Sequence, residues 1–265
     1  MTKKTFPSLP AIVAILGLIT WGNSFAHPAK FRRNQRLPEY GRVVVVYDGD
    51  TVEVRFPEGN ERKVRLIGID SPEMDDPRED VRFMAFMAKR FAFLKLYRKN
   101  VHLAYDWEFE DQYGRLLAYL TTDDGVLFNE LILKEGFAFA YRKFPFREDL
   151  MERFKAAVKE AQRTGKGLWR KGRPPEVPAS RARAYLGELV SVRMTCSGFE
   201  ERRSFIVLHS HEGGFEALVP KESSAAFPGL KELTGKTIIV SGLVEEFDNA
   251  VQILLYLPRQ IISIK

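Results

Sequence analysis

The stretch that most constrains the fold runs from Arg42 to Glu73, RVVVVYDGDTVEVRFPEGNERKVRLIGIDSPE. Arg42 to Tyr47 is a β-branched run, and Asp48-Gly49 is a hairpin-type turn pair. Thr51 to Phe56 alternates apolar and polar residues, as a half-buried strand does. Pro57 to Asn60 makes a second turn and Glu61 to Ile69 a third strand. Three strands joined by short turns form a meander, so the first module is built on a sheet.

The same stretch collects Asp48, Asp50, Glu53, Arg65, Asp70 and Glu73. Asp50 begins one strand and Asp70 ends another. If those strands pair, the two carboxylates meet at one end of the sheet. Oxygen ligands of that kind suit Ca²⁺ or Mg²⁺ and not zinc. Pro72 fixes the turn that follows, so Glu73 can point back at the same pocket and accept a proton from water. Arg65 is within reach of such a metal, and Arg115 follows in DQYGRLLAYL. Guanidinium groups hold phosphate oxygens in a fork and stay charged. Taken singly, each piece has an ordinary explanation as a turn, a helix cap or a surface arginine. Their joint presence in this order points to phosphate chemistry.

Beyond the meander, Val81 to Arg98 is predicted to be a helix, with Phe83, Phe86, Met87, Phe91 and Leu94 on its core face. Val101 to Tyr105 and Gly114 to Thr122 are strands. Val126 to Glu135 is a short helix capped by Gly136, and Arg147 to Thr164 is a strong helix. Phe137 to Phe146 is aromatic, basic and loop-like. Lys171 to Arg181, KGRPPEVPASR, reads as a linker over 171–181. The rest, 182–265, carries five short strand candidates with a short helix near Glu222 to Leu233. That pattern fits a small barrel of the oligonucleotide-binding (OB) type, with an unrelated β-sandwich as the alternative. Arg181, Arg183, Arg193, Arg202 and Arg203 near Phe199 and Phe205 could hold single strands, or could be a solvated face.

The length of 265 residues allows two ordinary domains, and the formal charge of +6 favours polyanion partners. A single cysteine, Cys196, excludes an intramolecular disulfide and a Cys-rich zinc site. At the N-terminus, Lys3 and Lys4 precede an apolar run from about Ala11 to Ile19, and Ser24-Phe25-Ala26 supplies a cleavage site. Residues 1–26 are thus expected to be an export signal, with an uncleaved anchor as the alternative. Residues 27–40, HPAKFRRNQRLPEY, are expected to be a short basic arm.

Residues 42–169 resemble the staphylococcal-nuclease-like (thermonuclease) family. The matching blocks are YDGDTVEV, VRLIGIDSPE, DQYGRLLAYL, VLFNELILKEGFA and the terminal GLW. The resemblance implies an α+β, mainly β fold over 41–170: a five-stranded OB-type barrel with three helices. It implies Asp50, Asp70 and the Ser71 carbonyl as Ca²⁺ ligands, and Glu73 as general base. Arg65 and Arg115 would be the phosphate-binding arginines, and Tyr113 and Tyr141 residues near the substrate. Asp48 matches an acidic residue beside the metal. The implied activity is Ca²⁺-dependent phosphodiester hydrolysis of DNA or RNA, leaving 3′-phosphate ends. The helix after the active-site loop departs from the family pattern, reading EDVRFMAFMAKR, and the loop from Met74 to Asp80 is short and acidic.

Two other functions compete with an exported nuclease. One is a binding module for nucleic acid or protein that uses the fold without catalysis. The other is a carbohydrate- or lipid-linked surface protein, which rests on the second module alone.

Overall fold

In the first module β1 (Tyr40–Val46), β2 (Thr51–Arg55) and β3 (Glu61–Leu66) form the expected meander, followed by a two-residue strand, β4 (Ile69–Asp70). The α1 helix (Glu79–Leu96), β5 (Asn100–Ala104) and β6 (Leu116–Thr122) come next, then α2 (Phe128–Lys134), β7 (Phe139–Ala140) and α3 (Glu148–Thr164). Five strands close into a barrel in the order β1-β2-β3-β6-β5. β3 and β6 run parallel, with Arg65 opposite Leu117, and the other pairings are antiparallel. Alternation puts Val43, Val52, Val54, Val64, Leu66 and Val101 inside, where all are fully buried. The computed structural model describes residues 37–141 and 147–264.

The expected export signal 1–26, the arm as far as residue 36 and residues 142–146 of the aromatic loop lie outside the described residues. The last part of the arm is not a free segment: Leu37 packs on the first core and Tyr40 opens β1. Two further expectations need correcting. The third strand stops at Leu66, because the chain turns at Ile67-Gly68 before β4. Part of the aromatic loop is ordered, since β7 pairs with β4 through Ile69–Ala140 and Asp70–Phe139.

The second module contains β8 (Glu176–Pro178), β9 (Leu189–Glu201), β10 (Phe205–Ser210), β11 (Phe215–Pro220), β12 (Thr237–Leu243), β13 (Glu245–Phe247), β14 (Ala250–Leu254) and β15 (Ile261–Ile264). They make one sheet ordered β13-β14-β11-β10-β9-β12-β15, with β8 added beside β9. The middle of that order, β14-β11-β10-β9-β12, repeats the plan of the first barrel, including a parallel pairing of the third and fifth principal strands. The linker expected over 171–181 is only partly one: residues 176–178 pair with β9, and 179–185 form 3-10 turns. The helix expected near 222–233 is two short 3-10 turns, Lys221–Ala226 and Lys231–Leu233, interrupted at Pro228-Gly229.

Residues from Leu37 onward form one compact unit, and α1 explains why. Met87, Ala88, Phe91 and Ala92 are buried in the first core, while Phe86 stacks on Tyr256 of the second module, with centroids 4.6 Å apart and planes 2° from parallel. Leu189 and Leu243 of the second module join the first core. Arg90 of α1 pairs with Glu245, which is 2% exposed and also accepts a 2.6 Å hydrogen bond from Gln252 Nε2. The aromatic face expected to serve one core therefore serves two. Among the described residues, no helix is long and apolar enough to cross a membrane.

Candidate active site

The turn between β1 and β2 and the turn after β3 meet at one end of the first barrel. Asp50 joins them. Its Oδ2 accepts from the Ser71 N–H at 2.6 Å and from the Ser71 hydroxyl at 2.9 Å, and its Oδ1 accepts from the Thr51 hydroxyl at 3.0 Å. Gly49 permits this approach. A Cβ there would stand 2.7 Å from Ser71 Cβ and 2.9 Å from Ala88 Cβ of α1. The glycine of the DGD motif is thus required for close packing as well as for its place in a turn.

Arg65, 6% exposed, lies inside this knot. Its Nη1 donates to the carbonyls of Leu66 and Ile69 at 2.9 and 2.8 Å, and its Nη2 donates to Asp70 Oδ1 at 2.8 Å. Its Nε stands 3.3 Å from Asp50 Oδ1. One guanidinium therefore links the two aspartates and holds the turn that aims them, and good geometry offsets the cost of burying the charge.

Glu73 lies just beyond, on the exposed side of Pro72. Its carboxyl is pushed above the usual range by desolvation first, then by the charges of Asp50, Asp70 and Asp75, and Arg65 pulls it back down. Asp48, whose Oδ1 accepts from the Asp50 N–H at 2.9 Å, is pushed up to about 7 by burial and by Asp50. Both shifts come from desolvation first and from neighbouring carboxylates second.

Part of this region lies within a stretch that matches a known family. The family model described as "Staphylococcal nuclease homologue" matches residues 63–171. Thermonuclease from Staphylococcus hyicus is 37% identical over 128 residues, 48% of this chain and 74% of the relative. Thermonuclease from Staphylococcus intermedius is 36% identical over 169 residues, 64% of this chain and 99% of the relative. The chain belongs to the staphylococcal nuclease homologue family. Endonuclease YhcR of Bacillus subtilis (strain 168) is 31% identical over 141 residues, 51% of this chain and 12% of that larger protein.

Members of the family invite the question of whether this barrel end suits a hard cation. Asp50 and Asp70 pair with the one buried guanidinium, Asp48 adjoins Asp50 and Asp75 adds charge beside Glu73, so a divalent cation would relieve an excess of negative charge. Ser71 spends its N–H and hydroxyl on Asp50, which leaves its carbonyl to offer an ion. Among the described residues, no group of three or more acidic, histidine or cysteine side chains stands at ligand spacing. The donors this barrel end offers are oxygens, the kind a hard cation takes, and they are too few for a closed cage.

The remaining expected residues are held nearby but separately. Arg115 precedes β6, and its Nε donates to Asp111 Oδ2 at 2.7 Å. Asp111 Oδ1 accepts from the backbone N–H groups of Tyr113 and Arg115 at 2.9 and 3.0 Å. Arg115 Cζ sits 5.5 Å from the centre of the Tyr113 ring, which is 71% exposed. Tyr141 is part-exposed, and its N–H donates to the Gly68 carbonyl at 2.9 Å, beside the turn that Arg65 holds. No direct contact between Arg115 and the aspartates is formed among the described residues.

Sequence reasoning missed Asp111 and Asn129. Asp111 lies inside the quoted DQYGR block, four residues before the arginine it orients, which was a usable signal. Asn129 is fully buried: it accepts from the Leu120 N–H at 3.0 Å and donates to the Ile67 carbonyl at 2.9 Å. It pins the turn between β3 and β4 to β6, and a polar residue on the apolar side of a short helix was its only trace. Glu53 takes no part, since it accepts from the Tyr47 hydroxyl at 2.7 Å on the barrel flank.

Proposed function

We propose that this chain is an exported, Ca²⁺-dependent nuclease that hydrolyses phosphodiester bonds of DNA or RNA and leaves 3′-phosphate ends. Membership in the family supports phosphodiester hydrolysis. The observation that carries the reading is the Asp50–Arg65–Asp70 knot, with Glu73 raised by desolvation and then by the carboxylates around it. Asp50, Asp70 and the Ser71 carbonyl are the groups that would hold the ion. When bound, Ca²⁺ supplies positive charge against the reacting phosphate.

The rest of the work belongs to side chains. Glu73 takes a proton from a water molecule, and its raised affinity for protons makes it a better base than an ordinary glutamate. The water oxygen bonds to phosphorus, the bond to the 5′ oxygen breaks, and that oxygen takes up a proton from solvent, leaving a 3′-phosphate and a 5′-hydroxyl. Arg115 would face the charge that builds on the phosphate, Arg65 would add its positive charge from inside the knot, and fixed charges of this sort contribute about 10²–10³ in rate each. Tyr113 and Tyr141 are exposed enough to touch the nucleotide. Export rests on Lys3, Lys4, the apolar run after them and the small residues up to Ala26.

The test is hydrolysis of denatured DNA by the purified protein across a Ca²⁺ titration. A site with two carboxylates should need Ca²⁺ at about 10⁻⁴–10⁻³ M, and chelation should abolish activity. Glu73→Gln should lower kcat by about 10²–10⁴ with an unchanged far-ultraviolet circular dichroism spectrum. Full activity without any divalent ion would remove the metal assignment, and wild-type turnover in the variant would remove the base.

A further inference from the structure

The acidic loop after Glu73 poses a difficulty for a polyanionic substrate. Asp70, Glu73, Asp76, Glu79 and Asp80 all line the cleft that opens at the catalytic turn, where Arg65 pairs with Asp70 and Arg78 with Asp76. A phosphate chain approaching this wall alone would be repelled. The cleft has a second wall, however. Its volume is about 940 Å³, and its far side is formed by the connection between the modules and by the 259–262 edge of the second module.

That far wall is basic. Arg170, Arg173 and Arg259 line it, and among the described residues none of them forms an ion pair with a carboxylate. Arg170 Nε is buried without a hydrogen-bond partner. The basic residues singled out in the second module are by contrast largely spent: Arg183 pairs with Glu246, Arg193 with Glu176, and Arg202 with Glu200 and Glu216.

Both exposed arginines stand on fixed supports. Gln260 is 1% exposed and makes four hydrogen bonds: it accepts from the N–H groups of Tyr256 and Leu257, and it donates to the carbonyls of Ser241 and Leu254. Those bonds hold the turn that presents Arg259, whose Cζ lies 5.8 Å from the centre of the Phe83 ring on α1. Arg173 sits between two anchored points. The Arg170 N–H donates to the Gly167 carbonyl at 3.1 Å on one side, and the Ser191 N–H donates to the Pro175 carbonyl at 2.9 Å on the other. Phe139, 42% exposed, also lines the cleft and is braced edge-on by Trp169 at 5.8 Å. An exposed aromatic ring in a basic groove is a platform for an unpaired base.

We propose that the second module is the far wall of the substrate cleft, where Arg173 and Arg259 hold backbone phosphates of a single-stranded polynucleotide and Phe139 stacks one of its bases. The inference rests on the nuclease reading and names the substrate class of the same site. A cleft of this volume has room for a few nucleotides, and the exposed Phe139 ring favours unpaired bases, which alone can stack on it. The two walls divide the work: the acidic one carries the chemistry, and the basic one makes the cleft habitable for the substrate.

The test compares the protein with its Arg173→Ala/Arg259→Ala double variant, both positions being exposed and outside the catalytic knot. The substrates are a single-stranded oligonucleotide of about twenty residues, its duplex, and the small ester p-nitrophenyl thymidine phosphate. KM for the single strand should rise about tenfold with kcat unchanged, and hydrolysis of the small ester should not change. In the Glu73→Gln background, fluorescence anisotropy of the labelled strand should show the salt slope of log Kd falling by about 1.4, for two lost phosphate contacts. The Arg173→Lys/Arg259→Lys variant should recover most of the affinity.

An unchanged KM and salt slope would overturn the proposal, as would an equal loss on the small ester, which would mark a structural role. An equal KM increase on the duplex would overturn the choice of single strands. If the wild-type protein hydrolyses none of the three substrates, the nuclease reading fails, while the anisotropy measurement still decides whether Arg173 and Arg259 bind the strand.

Discussion

The two barrels follow one strand plan and part company at the seam. In the first, β5 and β6 pair from Val101–Thr122 to Ala104–Tyr119 and complete the ring. In the second, the equivalent strands β12 and β14 form no ladder with each other. Instead β15 pairs with β12, and β13 pairs with β14. A closed ring has no free edges, so its end can be packed with tightly approaching turns. That is where the first barrel buries Asp50 and Arg65. The second barrel keeps most of its ions outside, as in the cluster of Glu200, Arg202, His209 and Glu216, and its buried Glu245 is answered by Arg90 of the first module. The difference teaches that a shared topology does not supply a site. A site needs a rigid end at which charges can be desolvated together.

Arg65→Ala is the substitution best able to break this comparison. It should lower turnover by about 10²–10³ and cost about 3–5 kcal/mol, because Asp50 would stay buried without its cation. Turnover and urea denaturation measure the two effects, and a stability loss below about 1 kcal/mol would show that the knot is not held electrostatically.

Gly49→Ala probes the tight packing without touching charge. A methyl group 2.7 Å from Ser71 Cβ must push the two turns apart, and thermal melting should report a loss of about 1–3 kcal/mol.

Arg202→Ala is the control in the second barrel. Arg202 and Glu200 are exposed and Glu216, though largely covered, keeps His209 beside it, so stability should change by no more than about 1 kcal/mol and turnover should stay at the wild-type value. A larger loss would erase the distinction between the two sets of ions.

Much of the first module was legible because its information is local. The alternation in TVEVRF places β2, and the positive-φ glycine after α3 ends that helix where its run of polar and apolar residues stops. Asp50, Arg65, Asp70, Ser71 and Glu73 lie within 24 consecutive positions on or beside the β2–β3 pair, so the pairing that sets Thr51 opposite Arg65 also brings the knot together. Arg115 was recognisable, but the Asp111 carboxylate that fixes it looked like one more turn residue. The second module was harder. Its parallel β11–β14 pairing, the β15 edge strand and the β8 addition all join segments separated in sequence, for which periodicity carries no signal.

The sequence by itself determined the elements and the chemical inventory, since strand alternation, turns and helix caps follow from neighbouring side chains and backbone sterics. It also determined that two aspartates, a glutamate and an arginine would share one hairpin's worth of chain. Tertiary structure alone decided what faces them. The Phe86–Tyr256 stack and the Arg90–Glu245 pair bring the second module against α1, and that docking places Arg259 across the cleft from Glu73, 186 positions earlier in the chain. Contacts over such separations arise from the fit of whole surfaces, a property that no local pattern of residues encodes.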